Sequence, residues 1–428
     1  MKRVLLSLPF ILFAVTARAG APLAGMGGVG IGIGSNTADI SDNAAASTAD
    51  LRRSEGAMTG GIAWRRLEFS GGILNRNETT RGAFDATDPV DWSFATPSFG
   101  RGRLAAGAWE VDRRGVRLME PLDLTLAITP GGSPLSSQYW GGTAYLKEDE
   151  GTYAVGAEYV WAIDGGNHAF SVGGAWLMRS VREVLGVGSE PISQEGVFIA
   201  LRTMERREEL AGPGLLLGYF FRPVPGGSVG LSALLAGQMT GQIWEVEDGG
   251  PLRDNRIHRA PQARFGAGGS LTILENWTAA LDLRYSGGVS SEETLFFGTP
   301  AERKATETAD STFSAAAGVE YRLRFPRWSL PVRAGFYTKP DPAAASTAGL
   351  GADSVKELVP ASFKQDLMAV TLGTGFEGDD FRADIALMWL LVDTRIKLAR
   401  PAGAVESGDT RNSIGAAASI SMMFGGGE

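Results

Sequence analysis

The sequence predicts an all-β fold: a transmembrane antiparallel β-barrel of about fourteen strands with an N-terminal hatch, or plug, in its lumen. Three observations predict it. Apolar residues recur at every second position in many segments, the period of a strand with one greasy and one wet face. The connections between these segments alternate between short and long. An export leader opens the chain, and nothing after it resembles a spanning helix of ~20 apolar residues. Only helices and closed barrels satisfy their backbone in lipid, so a membrane protein of this kind is a barrel.

The leader comes first. Met1-Lys2-Arg3 is a basic head, residues 4–15 form an apolar run broken only by Ser7 and Pro9, and Ala17-Arg18-Ala19 fits the small-x-small cleavage rule. Residues 1–19 read as a signal peptide and Gly20 as the start of the mature chain. There is no cysteine, which removes disulfide frameworks, thiolate metal sites and cysteine nucleophiles. His168 and His258 are the only histidines. The formal charge of −8 disfavours nucleic-acid binding.

Residues 20–56 differ from the remainder of the chain. Gly25-Met26-Gly27-Gly28-Val29-Gly30-Ile31-Gly32-Ile33-Gly34 interleaves glycine with apolar residues, and 38–49 is rich in Ala, Ser and Asp. This is the composition of a compact irregular segment packed inside something. Gly25, Gly27 and Gly30 match the dinucleotide fingerprint by spacing, but no strand precedes them and no helix clearly succeeds them, so the match is chance.

The barrel is expected over 57–428. Strands are predicted at 57–70, 91–99, 103–112, 143–163, 168–182, 214–222, 228–245, 261–273, 277–286, 364–376, 381–394 and 411–424, with one further hairpin inside 311–337. That hairpin is the clearest: Phe313, Val319, Tyr321, Leu323, Val332 and Phe336 alternate with Gly318, Glu320, Arg322 and Arg333 around a turn at Phe325-Pro326-Arg327-Trp328. The opposite connections are predicted as long outer loops over 71–90, 113–142, 183–213, 246–260, 287–310, 340–363 and 395–410. Short turns on one side and long loops on the other is the asymmetry of outer-membrane barrels. Trp161, Tyr285, Trp328 and Trp389 near strand ends suit interfacial aromatic girdles. Phe424 closes an alternating last strand.

Several of these segments are similar to the FadL-type outer-membrane transporter family. Residues 25–49 resemble its N-terminal hatch, Phe265-Gly266-Ala267-Gly268 with Glu275-Asn276-Trp277-Thr278 its strand–turn–strand, and 317–323 with 332–337 and Pro340-Asp341-Pro342 are the best match. Val370-Thr371-Leu372-Gly373 leading into 381–387 continues it. The family's Asn-Pro-Ala triplet is absent; Asn43-Ala44-Ala45-Ala46 stands nearby. The resemblance implies a plugged monomeric barrel in the bacterial cell outer membrane. It would take up long-chain fatty acids or aromatic hydrocarbons passively, among outer-membrane lipid, with no cofactor and no covalent chemistry. A diffusion porin for polar solutes and a scaffold or secretion-accessory barrel remain as alternatives.

Candidate ligand-binding residues fall in three groups. Met26, Val29, Ile31 and Ile33 line a pocket from the hatch side or simply pack the hatch against the wall. Val197, Phe198, Ile199, Leu201 and Met204 form an apolar cluster in an outer loop beside the charged run 205–209, which reads as a landing groove or a self-shielding loop. Glu158, Glu320, Arg322, Arg333, Arg382 and Asp384 should face the lumen. Unpaired charges are costly there, so they pair with each other, or an arginine such as Arg322 or Arg333 meets a ligand carboxylate. No Gly-x-Ser-x-Gly elbow accompanies either histidine and metal-ligand spacing is missing, so an enzyme is not expected.

Overall fold

Period-2 alternation becomes one continuous antiparallel sheet in the computed structural model. It describes residues 26, 29–31, 43, 45–46, 54–62, 91–95, 102–123, 141–163, 167–189, 199–247, 253–295, 303–340, 344–346, 361–378, 381–400 and 403–424. The expected leader and most of the expected plug lie outside these residues, as do the predicted loop 71–90, Ile33, Val197 and Phe198.

The strands are β1 (Ser54–Ile62), β2 (Asp91–Ala95), β3 (Gly102–Asp123), β4 (Gly141–Ile163), β5 (His168–Ser189), β6 (Ile199–Val224), β7 (Gly227–Ala236), β8 (Met239–Glu247), β9 (Arg253–Arg259) and β10 (Gln262–Ile273). They continue as β11 (Trp277–Ser286), β12 (Val289–Leu295), β13 (Arg303–Ala309), β14 (Thr312–Arg324), β15 (Ser329–Lys339), β16 (Ala344–Ser346), β17 (Ala361–Glu377), β18 (Phe381–Arg400) and β19 (Gly403–Phe424). Each pairs antiparallel with its neighbours, and β1 pairs with both β2 and β19, closing the sheet into a barrel without an edge.

Four wall strands are interrupted at one level. The breaks are Gly237-Gln238, Ala260-Pro261, Gly287-Gly288 and Asp310-Ser311. Register runs through them: Ala236 faces Gln262 below the break and Met239 faces Arg259 above it. The exception is at β6, where Gly214 faces Ala236 but Ala211 faces Thr240, so two residues of β6 oppose three. That bulge contains Pro213, which has no N–H to give the ladder; its carbonyl accepts from Gly237 N at 2.8 Å. Joining β7 to β8, β9 to β10, β11 to β12, β13 to β14 and β15 to β16 leaves fourteen wall crossings among the described residues.

The outward face is apolar. Phe313, Val319, Leu323, Val332 and Phe336 are all exposed there, while Glu320 and Arg333 between them are buried inside. β11 carries both belts: Trp277 packs tilted against Tyr321 at 4.8 Å beside the short turn, and Tyr285 meets Phe313 at 4.8 Å beside the break. Eight residues separate Trp277 from Tyr285, ~27 Å along a strand and ~20 Å along the normal at a tilt near 40°, close to the height of an outer-membrane apolar band.

The strands run well beyond this band, which corrects the loop assignment. β5 continues to Ser189 and β6 begins at Ile199, so most of 183–213, predicted as loop, is strand. Ile199 and Leu201 therefore belong to β6 and not to a loop, and Glu205–Glu209 is not a helix face. Arg206 and Glu208 point in and are buried; Glu205, Arg207 and Glu209 point out and are exposed. His258, expected in a loop, sits exposed on β9. Above the bilayer neither face of a strand need be apolar, so the greasy alternation that marks a strand disappears while the hydrogen-bond ladder continues.

Candidate functional site

The lumen holds the described residues of the N-terminal segment that precede β1. All seven of its described residues, Met26, Val29, Gly30, Ile31, Asn43, Ala45 and Ala46, are buried. They meet inward-facing positions of the wall. Met26 and Val29 pack with Ala280 and Ala316, and Ala45 and Ala46 with Ala169 and Phe220. The wall is kept bare where they approach. A Cβ on Gly318 would collide with the Met26 carbonyl, and one on Gly230 with the Ile31 carbonyl.

Two polar side chains tie this segment down. Asp282 Oδ2, on β11, accepts from Gly30 N at 2.6 Å and Ile31 N at 3.0 Å, and from Arg284 Nη2 at 3.1 Å. Asn43 Nδ2 donates to the Ile31 carbonyl at 2.9 Å and to the Tyr219 carbonyl of β6 at 3.1 Å, while its Oδ1 accepts from Ala45 N at 3.2 Å. Asn43 thus joins both limbs of the segment to the wall. In sequence, Asp282 is one more inward polar residue between Leu281 and Leu283. Only its meeting with the glycine run shows its use.

Five of the six predicted lumenal charges come together below Met26; the sixth, Glu158, is buried apart from them on β4, beside Ser171. Arg333 Nε meets Glu320 at 2.7 Å and its Nη1 meets Asp384 at 2.6 Å. Arg322 meets Glu320 at 2.7 Å and Glu377 at 3.3 Å; Arg382 meets Glu377 at 3.1 Å and Asp384 at 2.9 Å. Three guanidinium groups and three carboxylates form one balanced network, the arrangement that makes a buried charge tolerable. Arg322 and Arg333 are engaged in it, which favours the structural reading of both over ligand capture.

A different stretch of inner wall is apolar. Trp109, Leu177, Leu210, Leu216, Met239, Ile243 and Ile257 form a buried patch running from β3 round to β9. Arginines border it. Arg179 pairs with Glu150 at 2.9 Å and Glu208 at 3.1 Å, and Arg264 Nη1 donates to the Val111 carbonyl at 3.3 Å. Arg259, level with Met239 and Ser291, lies above the breaks, outside the spanning band. Burial first, and then neighbouring Arg179, pull its pKa down to about 10. Among the described residues none forms an ion pair with it. Sequence reasoning missed this arginine because its strand reads as loop.

This is a closed β-barrel with an apolar outward face and described residues of its own N-terminal segment docked inside it. No protein-family model matches the sequence, and no curated protein does. Solved structures do match. The chain superposes on a Pseudomonas aeruginosa FadL homologue with a TM-score of 0.58 at 11% identity, covering 96% of this chain and 99% of that one. It superposes on the Pseudomonas putida toluene transporter TodX with a TM-score of 0.57 at 15% identity, covering 95% and 98%. For the Ralstonia pickettii toluene transporter TbuX the TM-score is 0.54 at 14% identity, covering 95% and 98%. The chain therefore has a FadL-type transporter fold.

Proposed function

We propose that the protein is a monomeric outer-membrane transporter for passive uptake of hydrophobic small molecules, with residues 20–56 acting as its hatch. The observation that carries this is the apolar patch from Trp109 to Ile257 on the inner wall, where a porin for polar solutes needs a wet, charged lining. A hydrocarbon chain leaving water gains roughly 0.8 kcal/mol for each buried methylene, so such a wall selects apolar cargo without energy input.

Of the two substrate classes, an acyl chain with a carboxylate is favoured over a neutral aromatic. Arg259 borders the patch, near Glu150 and Glu307 but in no ion pair with either, and a guanidinium binds a carboxylate through two parallel hydrogen bonds. Uptake of labelled long-chain fatty acid and of toluene into cells lacking the protein, then complemented, tests this. Complementation should restore fatty-acid uptake, and Arg259→Gln should lower it while sparing toluene. Steady large conductance in planar bilayers, with no uptake of either, would instead indicate a diffusion porin.

A further inference from the structure

β3 carries a bulge that a residue from a distant part of the wall holds in place. Glu110 faces Tyr153 of β4 and Asp112 faces Thr152, so Val111 between them has no partner in that ladder. A bulged residue leaves backbone groups that need a partner elsewhere. The Val111 carbonyl finds one in Arg264 Nη1, on β10, at 3.3 Å. Between β3 and β10 the wall passes through β4, β5, β6 and β7, five strand spacings or ~24 Å. An arginine side chain spans a fraction of that distance. The bond is therefore a bar across the lumen and not a contact along the wall.

The bar sits on the path proposed for cargo. Arg264 is the third residue after Pro261, just below the level of the breaks. Val111 packs against the apolar patch of Trp109, Leu177 and Ile257. Arg259, which borders the same patch, lies near enough to feel the charge of Arg264. A carboxylate reaching Arg259 thus meets a second guanidinium close by. The bar is also the weaker of the two bonds open to Arg264. At 3.3 Å to a single carbonyl oxygen it is longer than most N–H···O bonds, whereas a carboxylate takes a guanidinium through two parallel, shorter ones.

We infer that Arg264 is a positioning residue: it fastens the β3 bulge across the lumen and releases it on taking the carboxylate of an incoming acyl chain. The head group of the cargo opens the way along the patch, and a neutral molecule of the same length leaves the bar shut. Cargo shifts this equilibrium because it binds the released arginine better than the fastened one. The trigger rests on the proposed uptake of carboxylates; the bar itself does not.

Spin labels test both parts, since the chain has no cysteine of its own. Val111→Cys keeps its backbone carbonyl, and Ser314→Cys on β14 supplies a second inward position. Pulsed electron spin resonance on the full chain should give one narrow distance without ligand. Palmitate should move it to a longer, broader distribution, and hexadecanol should not. Arg264→Gln, too short to reach across, should give the palmitate distribution with no ligand added, while Arg264→Lys, still a donor, should keep the narrow one. Heat-modifiable gel mobility verifies that each variant is folded, and if Arg264→Gln is not, Arg264→Met takes its place. An unchanged distance in Arg264→Gln would overturn the bar, and hexadecanol acting as palmitate does would overturn the trigger. Calorimetry on the unlabelled chain separates the remaining case. Palmitate that does not bind there overturns the uptake reading and the trigger with it, while the Arg264→Gln distance still decides the bar.

Discussion

Removing the Asp282 carboxylate should release the plug from the wall while leaving the barrel standing. Asp282→Ala deletes two charge-assisted hydrogen bonds, from Gly30 N at 2.6 Å and Ile31 N at 3.0 Å. Such bonds contribute about 1.5–3 kcal/mol each. The freed N–H groups find lumen water once the segment lifts, so the lower end applies to both, about 3 kcal/mol together. That shifts the docked-to-undocked ratio by about 150-fold. Arg284 loses a partner too, but it is partly exposed and recovers water. Amide hydrogen exchange at Gly30 and Ile31 reads the change directly, and planar-bilayer recording reads its consequence as brief openings absent from the wild type. Asp282→Asn, which keeps the shape and loses the charge, should fall between. Unchanged exchange at both amides and unchanged conductance in the alanine variant would refute the docking role.

The wall offers further tests. Val332→Arg places a charge on the lipid face and should cost about 2–4 kcal/mol at mid-membrane, abolishing heat-modifiable folding. Gly318→Arg avoids that penalty and instead collides with Met26, so the barrel should fold but show increased protease cleavage near the N-terminus. Arg333→Ala strips Glu320 and Asp384 of a buried partner and should cost about 3–5 kcal/mol in urea unfolding. Glu275 holds φ at 58° in the turn between β10 and β11, so Glu275→Gly should raise stability by about 1 kcal/mol in the same assay.

The facing of the strands was legible because each residue's side is fixed by parity alone. Phe313 through Phe336 read outward and Glu320, Arg322 and Arg333 inward from the letters themselves, and the inward charges pair as electrostatics demands. Where the strands end was not legible. Lipid imposes the apolar alternation, and above the belts a run such as Glu205–Glu209 alternates only in direction, not in polarity. The breaks were hidden for another reason. Pro213 disturbs its neighbour across the ladder, so the interruption at Gly237-Gln238 is written in a different strand from the residue behind it. The plug's anchors were half visible. Asn43 stood out beside its alanines, whereas Asp282 acquires its role only from a segment about 250 residues earlier, a separation no local pattern encodes.

The level line of breaks has a practical consequence. Gly237-Gln238, Ala260-Pro261, Gly287-Gly288 and Asp310-Ser311 mark where the membrane-bound cylinder ends and an aqueous collar begins, with register carried across. Below that line every substitution answers to the bilayer and to the plug. Above it the strands answer to water, to each other and to the apolar patch they share with the wall below. The line is a natural seam for transplantation: a collar exchanged between relatives at these dipeptides would bring new recognition to an unchanged conduit.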